Sequence, residues 1–182
     1  MPKTSIRPAY DKIPYKTFIQ TYTDKSTIQN AGYGLFTKVY LKPFTWIGFY
    51  PGKITDKYNS KNEMYTMCTS DNKYILADPN IKYGVHMVNE AGKNNIANVW
   101  YVKLSNNYCL YFTGKSVQPG EELLTCYSQT YGKRPYPISN NCSDPRCTNK
   151  NHRIHSLILD EWKNKLIKNI PKYLEKINYN IL

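Results

Sequence analysis

Two thiols and two imidazoles fall within fourteen residues in the last quarter of the 182-residue chain: Cys142, Cys147, His152 and His155. Ligands of these types suit one structural, tetrahedral zinc of the Cys2His2 kind, although their spacing is not that of a finger. A chance group of reduced cysteines in a polar loop explains them equally well, and both readings stand. Upstream, Gly32 and Gly34 flank Tyr33. Lacking a Cβ, glycines let a backbone bend sharply and approach a ligand, whose polar groups can then bond to main-chain atoms. Two glycines so placed are also an ordinary turn. Three further side chains invite attention: the amide of Asn89, the phenol of Tyr127 and the indole of Trp162. Taken singly, Asn89 is a turn amide bonded to nearby backbone, and Tyr127, one of 18 tyrosines, is a core residue.

The elements that must hold these groups are short. Strand-like runs occur at 18–22, 34–40, 46–50, 74–76, 96–104 and 108–113, separated by Pro51-Gly52, Asp78-Pro79-Asn80 and Gln118-Pro119-Gly120-Glu121. The last suits a type II turn, with proline fixing φ at the second position and glycine supplying positive φ at the third. Many short strands with irregular connections predict a mostly β domain of small sheets. From Ser156 to Ile170 the period changes: Leu159, Trp162, Leu166 and Ile170 recur at helical spacing, and Pro171 stops the helix. The expected organisation is an N-terminal segment, 1–16, without periodicity and loose in part; a central domain, 17–138; and a Cys/His-containing segment with the C-terminal helix, 139–182.

Composition narrows the class. An apolar fraction of 41% and an aromatic fraction of 14% fit a folded chain. The sequence has no run of about 20 apolar residues to span a membrane, and Met1-Pro2-Lys3-Thr4 does not open a secretory signal, so the expectation is an intracellular protein, nuclear or cytoplasmic, without a membrane partner. Five cysteines in such a context point to reduced thiols or a metal site. The net charge of +12 favours encounters with acidic surfaces such as nucleic acid or chromatin. An AT-rich coding sequence would scatter lysines to the same total.

Three blocks, read in order, resemble the SET-domain protein-lysine methyltransferases and together cover residues 26 to 132. The first is Ser26-Thr27-Ile28-Gln29-Asn30-Ala31-Gly32-Tyr33-Gly34-Leu35-Phe36, followed by Phe49-Tyr50-Pro51-Gly52. The second is His86-Met87-Val88-Asn89-Glu90-Ala91-Gly92-Lys93-Asn94-Asn95-Ile96, with Glu90, Ala91 and Asn94 in place of the family's histidine, serine and proline. The third is Pro119-Gly120-Glu121-Glu122-Leu123-Leu124-Thr125-Cys126-Tyr127. The nearest likeness is to compact histone monomethyltransferases without the post-SET module.

That resemblance implies a SET β-clip fold: small curved sheets around a knot-like crossing, with a C-terminal helix. It implies S-adenosylmethionine as cofactor and a protein substrate presenting a lysine, for which a histone tail is the family's commonest form. Gly32, Tyr33, Gly34, Leu35, His86, Asn89, Glu90 and Tyr127 fall on cofactor-binding positions, and Tyr127 and Tyr50 on catalytic ones. Asp160-Glu161-Trp162-Lys163 resembles a helix whose tryptophan covers the cofactor's adenine; Trp162 also lies on the apolar stripe, where it would only anchor the helix. Asn98 and Thr125 align with the positions whose aromatic residue limits how many methyl groups are added. Both are smaller than tyrosine, which predicts a roomier channel and products beyond monomethyl-lysine. The competing reading is a SET-like module that kept the fold and lost turnover, acting as a basic chromatin or nucleic-acid adaptor.

Overall fold

The computed structural model describes residues 12–58, 64–69, 72–104, 107–127, 144–145 and 152–169, the side chains of 152–157 excepted. Eleven short strands and one long helix make up the regular structure of these residues: β1 Lys12–Ile13, β2 Thr21–Lys25, β3 Tyr33–Thr37, β4 Trp46–Phe49, β5 Gly52–Thr55, β6 Thr66–Cys68, β7 Tyr74–Leu76, β8 Asn89–Glu90, β9 Val99–Lys103, β10 Cys109–Thr113, β11 Leu124–Thr125 and α1 His152–Lys168. A single turn of 3-10 helix, Val85–Met87, precedes β8.

The strands form four small sheets, β1-β5-β7-β6, β4-β10-β9, β2-β3 and β11-β8. Cys109 to Phe112 is a continuous apolar run closed by Thr113, and as the middle strand of its sheet β10 is buried along its whole length. Its register against β4 slips between Tyr111 and Phe112, a bulge that bends the strand and increases its twist. All pairings are antiparallel except β8 with β11, which run parallel with Asn89 opposite Leu124 and Glu90 opposite Thr125. This two-residue crossing brings the segment around Asn89 alongside the segment that ends in Tyr127.

Helix α1 covers the β4-β10-β9 sheet. Leu166 is fully buried, and its carbonyl accepts from the Trp46 indole at 3.1 Å as well as from Asn169 N at 3.0 Å, which ties the last turn of the helix to β4. The helix begins earlier than the periodicity from Ser156 predicts, so that its backbone includes His152 and His155. The turn at 118–121 forms as expected, with Glu121 N bonded to Gln118 O and Gly120 at φ +83°.

Residues 12–16 of the N-terminal segment are tied to the fold. Ile13 is a fully buried core residue, β1 extends the sheet beside β5, and the Tyr15 hydroxyl accepts from Asp78 N. Two residues are too few for any period to show, but one buried isoleucine suffices to tie this stretch down. Cys142 and Cys147 lie outside the described residues, as do the side chains of His152 and His155. Among the described residues no group of His, Cys, Asp and Glu could hold a metal, and the predicted zinc gains no support.

Candidate active site

The three sequence blocks converge on one carboxylate. Glu122, 5% exposed, bridges to Phe36 through its backbone and carries its side chain toward the 26–34 turn. Oε1 accepts from the Ser26 hydroxyl at 2.7 Å and from Asn89 Nδ2 at 3.2 Å; Oε2 accepts from Thr27 N at 2.7 Å and Thr27 Oγ1 at 2.5 Å. Burying a carboxylate is costly unless its oxygens are met by donors, and here four are supplied by two segments distant in sequence. The Ser26 hydroxyl in turn accepts from Ile28 N at 3.0 Å, which ties the turn to itself.

Gly34 is where that carboxylate fits. A Cβ on Gly34 would fall on Oε1 of Glu122 and within 3.2 Å of Asn89 Nδ2. The close approach that glycine permits here is therefore to a side chain of the same protein. Gly32 differs: it adopts φ +74°, and space around it is open. Its carbonyl accepts from Ser26 N at 2.8 Å and closes the turn. Tyr33 between them is half exposed, while the Leu35 side chain is buried in the main core.

Asn89 joins the first block to the third. Its Nδ2 donates to Tyr33 O at 3.0 Å as well as to Glu122. Glu90, the next residue, is buried, and its Oε1 accepts from Tyr127 N at 3.3 Å. The Tyr127 hydroxyl donates to Val88 O at 2.8 Å. Tyr127 thus touches both residues that flank Asn89.

Tyr50 is buried, with its ring 6.1 Å from that of Tyr111, and Tyr111 stacks on Tyr101 at 5.5 Å. Burial pushes the Tyr111 phenol well above the ordinary 10.0, and the Cys109 thiol, Tyr50, Tyr127 and Tyr101 act in the same direction. The two tyrosines chosen from sequence, Tyr50 and Tyr127, both lie within electrostatic reach of a third, Tyr111, which sequence reasoning passed over. The signal was the uninterrupted apolar run Cys109-Leu110-Tyr111-Phe112 of a central strand, inside which a phenol needs a polar surrounding. Glu122 carries no such signal: in the sequence it is the second of two adjacent glutamates after a Pro-Gly turn.

Four further residues that the resemblance assigns to the site have these surroundings. Trp162 is 3% exposed, stacks on Trp100 at 4.8 Å and meets Phe112 edge-on at 5.3 Å. In this arrangement the indole packs the helix onto the sheet. The His86 ring meets Tyr15 edge-on at 5.1 Å and Tyr65 at 6.1 Å, and its Nε2 pairs with Ile81 O at 2.8 Å. Its side chain is a core element, with burial holding the imidazole below its ordinary 6.5. Asn98 is a backbone clamp: Nδ2 donates to Glu122 O and Oδ1 accepts from Leu124 N, both at 2.9 Å. Thr125 is buried within β11, its carbonyl accepting from Ala91 N.

Compared with known protein families, the chain matches the SET domain over residues 32–128, more than half of its length. No curated protein matches it.

Proposed function

Because the chain belongs to the SET-domain family, we propose that it is a protein-lysine methyltransferase taking its methyl group from S-adenosylmethionine. One observation carries the proposal: the matched span contains the whole convergence of Gly34, Asn89, Glu122 and Tyr127 around the β8-β11 crossing. The cofactor, when bound, supplies an electrophilic methyl on a sulfonium.

The residues present fit such a group. The turn at Gly32 is open, Tyr33 is half exposed beside it, and Asn89 lies between that turn and Tyr127. Gly32, Tyr33, Gly34, Asn89 and Glu90 would hold the cofactor mainly through their backbone and the Asn89 amide. Tyr50 and Tyr127, with Tyr111 behind them, would form the wall against which the lysine side chain is oriented.

The chemistry makes two demands on these residues. A lysine with a reference pKa near 10.4 needs about 4–5 kcal/mol to present its lone pair at pH 7, and a dry aromatic wall reduces that need by disfavouring the ammonium. Orientation is the second demand, since holding an amine in line with its target recovers up to about 7–11 kcal/mol of a bimolecular barrier. Buried phenols that stay protonated, as Tyr111 does, can accept and donate without adding a charge that would favour the ammonium.

The substrate class is a protein lysine. The +12 charge supports a target on an acidic assembly, such as a histone tail on nucleic acid. Thermal shift with S-adenosylmethionine, followed by transfer of a labelled methyl into a cell extract, tests the proposal. Stabilisation with label on lysine is the expected result. Stabilisation without transfer would make the chain a SET-like adaptor, and the absence of both stabilisation and transfer would overturn the methyltransferase reading.

A further inference from the structure

We infer that Glu122 is a positioning residue that fixes the orientation of the Asn89 amide, so that Oδ1 is presented as the acceptor for the ammonium at the cofactor's amino-acid end. The inference rests on the methyltransferase reading above and deepens it.

A primary amide has two hydrogens on nitrogen and a carbonyl oxygen, and its two ends have nearly the same shape. The end of Asn89 held at 3.0 Å from Tyr33 O and 3.2 Å from Glu122 Oε1 faces two atoms that only accept. It must be the nitrogen, and both of its hydrogens are then used. The other end is the carbonyl oxygen, and among the described residues no donor meets it. Asn89 is half-buried beside the exposed Tyr33, so Oδ1 remains available to a ligand that donates.

Tyr33 O alone would fix the amide weakly, because losing one neutral hydrogen bond costs little beside what water returns. The carboxylate makes the choice decisive, since a flipped amide would set Oδ1 against two acceptors, one of them charged. Glu122 cannot swing aside to relieve this. Its two oxygens are pinned by Ser26 and Thr27, its backbone carbonyl by Asn98, and its position by the missing Cβ of Gly34. A carboxylate remote in sequence thereby dictates that the subsite beside Asn89 recognises a cationic donor rather than an anion.

The test separates the amino-acid end of the ligand from its nucleoside end. S-adenosylhomocysteine carries the ammonium; methylthioadenosine lacks the amino-acid portion. In Glu122→Gln, one oxygen becomes a donor and the Asn89 amide is freed to turn. Calorimetry should show binding of S-adenosylhomocysteine weakened by at least about tenfold, as for loss of a hydrogen bond to a charged group, with methylthioadenosine affinity unchanged. Equal weakening of both ligands, or of neither, overturns the assignment. Should Glu122→Gln fail to fold, Asn89→Ala carries the same test, with selective loss expected and unselective loss fatal. Wild-type protein that binds neither ligand overturns the methyltransferase reading, and this assignment with it; wild-type binding with an unselective variant overturns this assignment alone.

Discussion

Glu122 keeps its carboxylate in the volume that a side chain on Gly34 would need. The two residues are far apart in sequence, yet each explains the other. The glycine lets the acid approach β3, and the acid's four donors fix the turn that the glycine follows. Gly34→Ala should displace the carboxylate from Ser26 and Thr27 and destabilise the fold by about 1–3 kcal/mol, the cost of leaving a buried polar group poorly satisfied. Denaturant unfolding measures this. Adding Glu122→Ala to Gly34→Ala should cost less than the sum of the single changes, because they share one cavity. Full additivity would show that the two positions are independent.

Tyr127 holds both residues that flank Asn89, through its backbone N to Glu90 and its hydroxyl to Val88 O. Tyr127→Phe should lower turnover at least about tenfold, or about 1.4 kcal/mol of transition-state stabilisation, with little change in cofactor affinity. It also leaves the Val88 carbonyl without this donor, for an added loss of about 0.5–1.5 kcal/mol in stability. Steady-state kinetics and a melting curve separate the two. Unchanged turnover with saturating peptide would remove the hydroxyl from the mechanism.

Trp162 is a packing residue, and its removal should behave as one. Trp162→Ala takes a buried indole from between Trp100 and Phe112 and should cost about 3–5 kcal/mol of stability. Protein of this variant that remains folded should bind S-adenosylmethionine normally. A selective loss of cofactor affinity in folded Trp162→Ala would assign the indole to the adenine instead.

His86 gives a dependence on pH whose sign is set by burial. Desolvation lowers its folded pKa from the ordinary 6.5, opposed in part by the Ile81 carbonyl. The unfolded chain therefore gains a proton near pH 6.5 that the folded chain gains only at lower pH. Stability from this group is complete above pH 6.5 and declines as pH falls toward the depressed value. His86→Gln, which keeps an N–H for Ile81 O, should flatten the fall in melting temperature below pH 6.5. An identical slope in the variant would assign the acid sensitivity to other groups.

What the sequence made legible was what repeats or punctuates. The helix, the 118–121 turn, and strands such as β7 and β10 carry periodicity, proline and glycine, or a continuous apolar run. Strands β8 and β11 carry no such mark. Two residues each cannot show a period, and their pairing is created by a crossing between segments remote in the chain. Strand β5 opens on Gly52, which reads as a turn and in fact sits at φ +128° against Leu76. The site was legible as motif and not as geometry. Gly34 and Asn89 could be located, but which group each touches depends on Glu122, whose burial no local pattern announces. Trp162 lies on a helical stripe that suits core and ligand alike, and its stacking on Trp100 is invisible to any local pattern.

The number of methyl groups added depends on space and on water near the lysine amine. An aromatic hydroxyl can hold a water where a further methyl must fit, and the resemblance to the family sets Asn98 and Thr125 at the two positions expected to play that role. Asn98 is taken up by the backbone of Glu122 and Leu124 and is poorly placed to tether a water as well. Thr125 is left, buried and much smaller than tyrosine. A water held by a threonine is displaced for about 0–2 kcal/mol, whereas a ring cannot be displaced, so volume should prevail. Tyr111 is the one complication, since it sets another phenol behind Tyr50 and within reach of Tyr127. Mass spectrometry of a peptide under excess cofactor should find di- or trimethyl-lysine, and Thr125→Tyr should restrict the product to one methyl. If wild-type product stops at one methyl and Tyr111→Phe releases it, the limiting group comes from β10 and Thr125 does not set the product. If Tyr111→Phe leaves multiple methylation intact and Thr125→Tyr abolishes it, the channel is widest at β11, where threonine replaces an aromatic ring.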